Sequence, residues 1–242
     1  MRNFVLWSVL LAVPAAAAEL SDDDLRSKGL AVAVELGFNK TTGNSDTRGY
    51  HAALAIDEML GDWRNRFNFE HSFKKDSGNV SEERYFFSDQ LNRHYSSTTY
   101  ALGRAAYEND RFNGLENSVT ASLGVGYLIF EAERYHWDIE TGPGYRYNAA
   151  QDERSEAIVR LASSAWYDLS DTSRLRQQLS AEGGKENIIS RSETSLTASI
   201  IGQLAMKLSF VATYQSKPAD GSDGQPKQPR DSKTLLTLLY NF

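Results

Sequence analysis

From about residue 30 to the last residue, the chain alternates apolar and polar side chains in short runs separated by turn-forming clusters. The closing nine residues show the rule most plainly. Counting back by twos, Phe242, Tyr240, Leu238 and Leu236 share one face, while Asn241, Leu239, Thr237 and Leu235 share the other. That is the two-residue period of a strand. In the first run Leu30, Val32, Val34, Leu36 and Phe38 oppose Ala31, Ala33, Glu35, Gly37 and Asn39. Near the end Leu208, Phe210, Ala212 and Tyr214 oppose Lys207, Ser209, Thr213 and Gln215, with Val211 the exception. One face wants lipid and the other wants water.

Turn signals divide the chain into about twelve such segments, at 30–39, 48–59, 63–74, 82–95, 99–109, 117–130, 135–148, 154–168, 174–186, 191–203, 207–217 and 232–242. An even count places both termini on one side. The connections 60–62, 96–98, 131–134 and 170–173 are short, whereas 75–81, 110–116 and 217–231 read as longer ones. Short periplasmic turns and longer outer loops mark a bacterial outer-membrane barrel. The predicted fold is therefore all-β, a transmembrane antiparallel up-and-down β-barrel of about 12 strands, expected as a monomer in outer-membrane lipid. A soluble lipocalin-like barrel would also alternate, but it explains neither a terminal Phe nor strands that end in aromatics. In the seventh segment Tyr135, Trp137, Ile139, Tyr145 and Tyr147 point outward, and His136, Asp138, Glu140 and Arg146 inward. Two positions strain the pattern. Asp89 shares a face with Tyr85, Phe87 and Leu91, which predicts a bulge or a different register, and Pro143 predicts a bulge or bend because it cannot donate to a ladder.

The start of the chain bears on compartment. Residues 1–18 carry a basic start, an apolar stretch from Phe4 to Val13 and Pro14 followed by four alanines, the pattern of a signal peptide cleaved after Ala18. Residues 19–29 follow as an acidic segment, and 30–242 as the barrel. Removal of Arg2 with the leader gives 25 − 32 = −7. A mildly acidic exported chain is a poor nucleic-acid binder. Lack of cysteine removes disulfides, thiolate metal sites and a Cys nucleophile. The mean hydropathy of −0.49 agrees with a barrel whose every second residue faces a wet lumen.

Thr42 to Thr47, Tyr107 to Gly114 (with Asp110-Arg111-Phe112), Gly124-Val-Gly-Tyr127, Gly142-Pro-Gly-Tyr-Arg-Tyr147 and the final Leu239 to Phe242 together resemble the salt-induced outer-membrane proteins, a family of barrels of unknown function. The similarity runs from about Ala31 to Phe242. It implies the barrel and its location, and brings no substrate, reaction or cofactor. The terminal Phe242, with Tyr240 and Leu238, also resembles the signal that the barrel-assembly machinery reads on such proteins. Asp110, Arg111, Phe112 and Gly114 read as a loop clamp at the barrel rim or as a ligand contact.

The inward faces place Glu35, Glu70, Arg104, Asp138, Glu140, Arg146, Glu156, Arg160, Arg174, Arg176, Glu182 and Lys207 in the lumen. Mixed signs admit two readings. The residues satisfy one another as an internal network, which suits a non-conducting barrel that supports the envelope under salt stress, or they line a narrow porin-like channel for ions or small polar solutes. An outer-membrane lipid hydrolase is a remote third reading. His71 and Ser72 are adjacent and so point to opposite faces. No catalytic residue, metal site or cofactor is expected. The histidines 51, 71, 94 and 136 are scattered, and Asp22 to Asp24 lack a cation loop's spacing.

Overall fold

The protein is described by a computed structural model covering residues 28–42, 46–110, 112–218 and 227–242. The leader and the acidic run lie outside the described residues, as do Gly43, Asn44 and Arg111. The strands are β1 (Leu30–Thr41), β2 (Thr47–Leu60), β3 (Trp63–Asp76), β4 (Asn79–His94), β5 (Thr99–Asp110), β6 (Leu115–Ala132), β7 (Tyr135–Tyr147), β8 (Ser155–Ser170), β9 (Ser173–Gly184), β10 (Ile188–Ile201), β11 (Leu204–Gln215) and β12 (Arg230–Asn241). Each pairs antiparallel with its sequence neighbours, and β1 pairs with β12, so the sheet is a closed barrel. Closure removes both sheet edges, which is what lets strands sit in hydrocarbon. Among the described residues no helix is long and apolar enough to cross a membrane.

The outside is apolar where a soluble protein would be polar. Leu36, Leu123, Val125, Val159, Leu161 and Leu208 are exposed around the waist. Trp63, Tyr95, Tyr135, Tyr167 and Phe242 ring the end that carries the termini, and Phe38, Tyr50, Tyr145 and Tyr214 ring the other. Two aromatic girdles around an apolar band are the exterior of a bacterial outer-membrane barrel. The short turns 61–62, 133–134, 171–172 and 202–203 lie on the side of the termini, which is the periplasmic side by that rule.

Three details refine the sequence reading. The span 75–81 is no long loop, because β3 and β4 meet in a two-residue turn at Ser77-Gly78 with φ of 49° and 87°. Positive φ at both central residues fits the right-handed twist of a hairpin, so the strands can run almost to the turn. At Asp89 the β3–β4 and β4–β5 registers are unbroken, so no bulge exists. Asp89 faces outward and accepts a hydrogen bond from Asn65 Nδ2 at 2.9 Å, which gives its carboxylate a donor away from water. At Pro143 the register is the same on both sides of the gap in β6–β7 pairing, again without a bulge. Here Gly124 and Gly142 let the strands approach so closely that a Cβ on Gly142 would overlap the Leu123 carbonyl.

The closing seam is the shortest. β1 and β12 pair over Ala33 to Leu36 against Asn241 to Leu238, whereas β1 and β2 pair along their full length. The terminal Phe242 N–H extends the seam by donating to the Val32 carbonyl at 2.9 Å.

Candidate functional site: the charged lumen

Because β-strand side chains alternate, each polar inward residue of one strand meets those of its neighbours and of strands across the barrel. Near the middle, Glu140 on β7 accepts from Arg66 at 2.8 Å, Arg160 at 2.8 Å, Gln90 at 2.7 Å and Tyr100 at 3.0 Å. The four donors come from β3, β8, β4 and β5, so one carboxylate ties strands on several sides of the barrel. Tyr100 reaches it because position 126 is glycine: its ring lies where a Cβ there would be.

Toward the outer end, Arg84 on β4 donates to Glu70 at 2.8 Å and to Glu108 at 2.6 Å, and Arg191 on β10 reaches the same Glu108 at 2.9 Å. Arg146 bonds Glu156 at 2.5 Å and the Asn187 carbonyl at 2.6 Å, while Glu156 also accepts from the Glu186 amide. Near the seam, Lys207 lies between Glu35 at 3.3 Å and Glu193 at 3.2 Å, and Thr237 donates to Glu35 at 2.6 Å. Toward the periplasm, Arg174 forks onto Asp168 at 2.6 and 3.1 Å and stacks over Trp166, and Asp138 faces His136 at 3.5 Å. Arg174 is thus a mouth residue. Arg104 and Glu182 face each other at 3.9 Å.

The space between these groups is uneven. A cavity of about 310 Å³ opens among Met59, Asn92, His94, His136 and Trp166 in the periplasmic half. A second of about 260 Å³ lies at mid-barrel, and the two share Arg64, Arg66, Asp138, Ser164 and Arg176 in their walls. Above it, among the described residues, a space of only about 20 Å³ lies between Arg84, Glu108, Asp110, Asn113, Gln215 and Lys233. Asn113, in the β5–β6 loop, donates to Asp110 at 2.8 Å, and its carbonyl accepts from Gln215 at 2.8 Å across the barrel. Gly114, at φ 72°, turns its carbonyl to Asn148 at 3.1 Å. The outer end is therefore drawn together by loop residues as well as ion pairs. A larger hollow, about 750 Å³, lies in the lipid-facing wall, where Ser190, Ser192, Ala181, Ala212 and Ser232 are small and leave room between Leu161, Leu179 and Tyr214.

His51 Nδ1 lies 3.1 Å from Ser72 Oγ, and His51 Nε2 lies 4.0 Å from Glu35. The order of residue types is that of a hydrolytic triad, but all three are fully buried and none lines any of these cavities. A hydroxyl that no substrate can touch is a strand-to-strand hydrogen bond rather than a nucleophile. His71 points outward to Tyr50 and Tyr85. Among the described residues no three His, Asp or Glu side chains gather as a metal site would require.

Several of these residues were not picked out from the sequence: Arg66, Arg84, Gln90, Tyr100, Glu108, Arg191 and Glu193. For Arg66 and Glu108 the signal was present, since each shares the two-residue phase of Glu70 or Arg104. For Arg191 and Glu193 it was absent, because the outward residues Ser190, Ser192 and Thr194 are polar too, and neither face stands out.

A family model described as "Protein of unknown function, DUF481" matches residues 34–242. The chain belongs to the DUF481 family. That description carries no activity and no link to salt. No curated protein matches the chain. Among solved structures, the COG4313 outer membrane channel from Pseudomonas putida F1 is 11% identical with a TM-score of 0.51, over 96% of this chain and all of that one. At that identity the likeness shows the shared barrel fold. The KdgM porin in complex with disordered oligogalacturonate is 8% identical with a TM-score of 0.46, over 88% of this chain and 99% of that one. This DUF481 member is thus a closed twelve-stranded barrel of the bacterial outer membrane.

Proposed function

We propose that the protein is a narrow channel for ions or small polar solutes, closed at its outer end in the state described here. One observation carries the reading. The mid-barrel and periplasmic cavities share five wall residues, so polar space runs from one mouth past the centre. The remaining 20 Å³ constriction is formed by long side chains and a loop asparagine. Arginine and lysine side chains can change rotamer without breaking any strand ladder, so opening needs no rearrangement of the barrel. Phe242, Tyr240 and Leu238 act in this reading as the assembly signal, and the barrel works as a monomer without catalysis.

Planar-bilayer conductance of the refolded protein tests it, paired with Arg146→Gln/Arg160→Gln. Reproducible current steps whose ion selectivity changes in the variant support the channel. Silence from demonstrably folded barrel refutes it. The second reading, a non-conducting barrel that supports the envelope under salt stress, is favoured by the ion pairs and the Asn113–Gln215 contact that close the outer end. A deletion strain with altered detergent and salt tolerance, together with a silent barrel, supports that reading.

A further inference from the structure

The mid-barrel cavity is lined by six arginines and five carboxylates, and one of those arginines, Arg104, makes its ion pair only at 3.9 Å. Asp57 is fully engaged by Arg64 at 2.8 and 3.0 Å. Glu193 faces Lys207, which lies outside the cavity wall. Asp138 lies toward the periplasm against His136. Elsewhere around the lumen single carboxylates serve two guanidiniums. Glu140 serves Arg66 and Arg160, Glu108 serves Arg84 and Arg191, and Glu182 serves Arg104 at 3.9 Å and Arg146 at 3.6 Å. Glu70 and Asp110 also face Arg84, and Glu156 bonds Arg146.

Arg104 is held only loosely. Among the described residues its ion pair is a 3.9 Å contact, too long for a hydrogen bond, and it is made to a carboxylate that Arg146 approaches more closely. Arg160 and Arg191 lie within electrostatic reach of Arg104, and all three face the same cavity of about 260 Å³. A guanidinium offers planar, forked N–H donors that match the oxygens of a carboxylate or phosphate.

We propose that Arg104, with Arg160 and Arg191, forms a binding site for a small oxyanion, a carboxylate or phosphate group, at mid-lumen. This rests on reading the lumen as a solute path and names the solute class. An entering oxyanion replaces its hydration with guanidinium N–H groups. The cavity is smaller than the about 300 Å³ at which pockets begin to suit drug-sized molecules, so it takes inorganic phosphate or a short carboxylic acid rather than an oligomer.

The test is calorimetric titration of the refolded full-length barrel in non-ionic micelles with inorganic phosphate, then acetate, at constant ionic strength. Wild type is compared with Arg104→Gln and with Arg134→Gln, an exposed turn arginine paired with Asp171. Folding is checked by heat-modifiable migration. Saturable one-to-one heat in wild type and in R134Q, with Kd at least about tenfold weaker in R104Q, supports the site. No saturable heat in wild type, or equal binding in all three proteins, overturns it. Should R104Q fail to fold, Arg104→Lys keeps the charge and loses the fork. It then binds more weakly than wild type if the site is real, and identically if it is not. Binding by a barrel that passes no current keeps the site and removes the channel, whereas current without binding does the reverse.

Discussion

Glu140→Gln is the most informative single change in the lumen. The substitution keeps the shape and an acceptor oxygen but removes the one carboxylate that Arg66 and Arg160 both bond, at 2.8 Å each. Glu140 is 7% exposed, so solvent does little to screen the loss. Two guanidiniums are left facing each other across a neutral amide, whose new NH2 group must face an existing donor: Arg160 at the Oε2 position, or Arg66, Gln90 and Tyr100 at the Oε1 position. Removing one partner from a buried ion pair typically costs about 3–5 kcal/mol, because the stranded charge keeps its desolvation penalty. With a urea slope of about 2 kcal/mol/M, that is a fall in unfolding midpoint of roughly 1.5–2.5 M. The assay is urea unfolding of the barrel in lipid vesicles, followed by tryptophan fluorescence and heat-modifiable migration. In the bilayer, the same variant should shift any current toward anions, since the lumen gains one net positive charge. A stability change below about 1 kcal/mol would mean that water already reaches Glu140, and the tied network would not be the account of the closed lumen.

Two further outcomes test the fold reading. Gly126→Ala puts a methyl into the Tyr100 ring, so the phenol must swing away from Glu140. It should cost about 1–3 kcal/mol in the same unfolding assay, while Gly183→Ala, which meets nothing within 4 Å, stays within about 0.5 kcal/mol. On the lipid face, Asn65→Leu/Asp89→Leu removes a polar pair from hydrocarbon and should be neutral or stabilising by up to about 2 kcal/mol. Clear destabilisation would place that face against protein or water.

Much of the barrel was legible in the sequence because one physical rule governs every strand. A side chain on a transmembrane strand has two choices, lipid or lumen, so the two-residue period reports its face directly. Leu30 to Asn39 and Tyr135 to Tyr147 are unambiguous for that reason, and the closing run to Phe242 likewise. Legibility failed where the rule is relaxed. β10 carries Ser190, Ser192 and Thr194 outward and Arg191 and Glu193 inward, so both faces look polar. Asp89 broke the alternation without breaking the strand, because Asn65 on the neighbouring strand supplies its donor.

The sequence by itself determined the strand count, the closed all-β class and the side of the wall on which most charges lie, since these depend on neighbours within one segment. Only the tertiary structure decided which charges meet. Glu140 joins residues 50 and 74 positions away, and Arg191 reaches Glu108 from 83 positions away. Those distances depend on how twelve strands are staggered around the barrel, and a one-residue slip at any seam would turn a strand's inward set to the lipid. The constriction at Asn113 and Gln215, the glycine beneath Tyr100 and the long contact of Arg104 arise from that stagger, because side chains that cross a lumen respond to the opposite wall and not to their own segment.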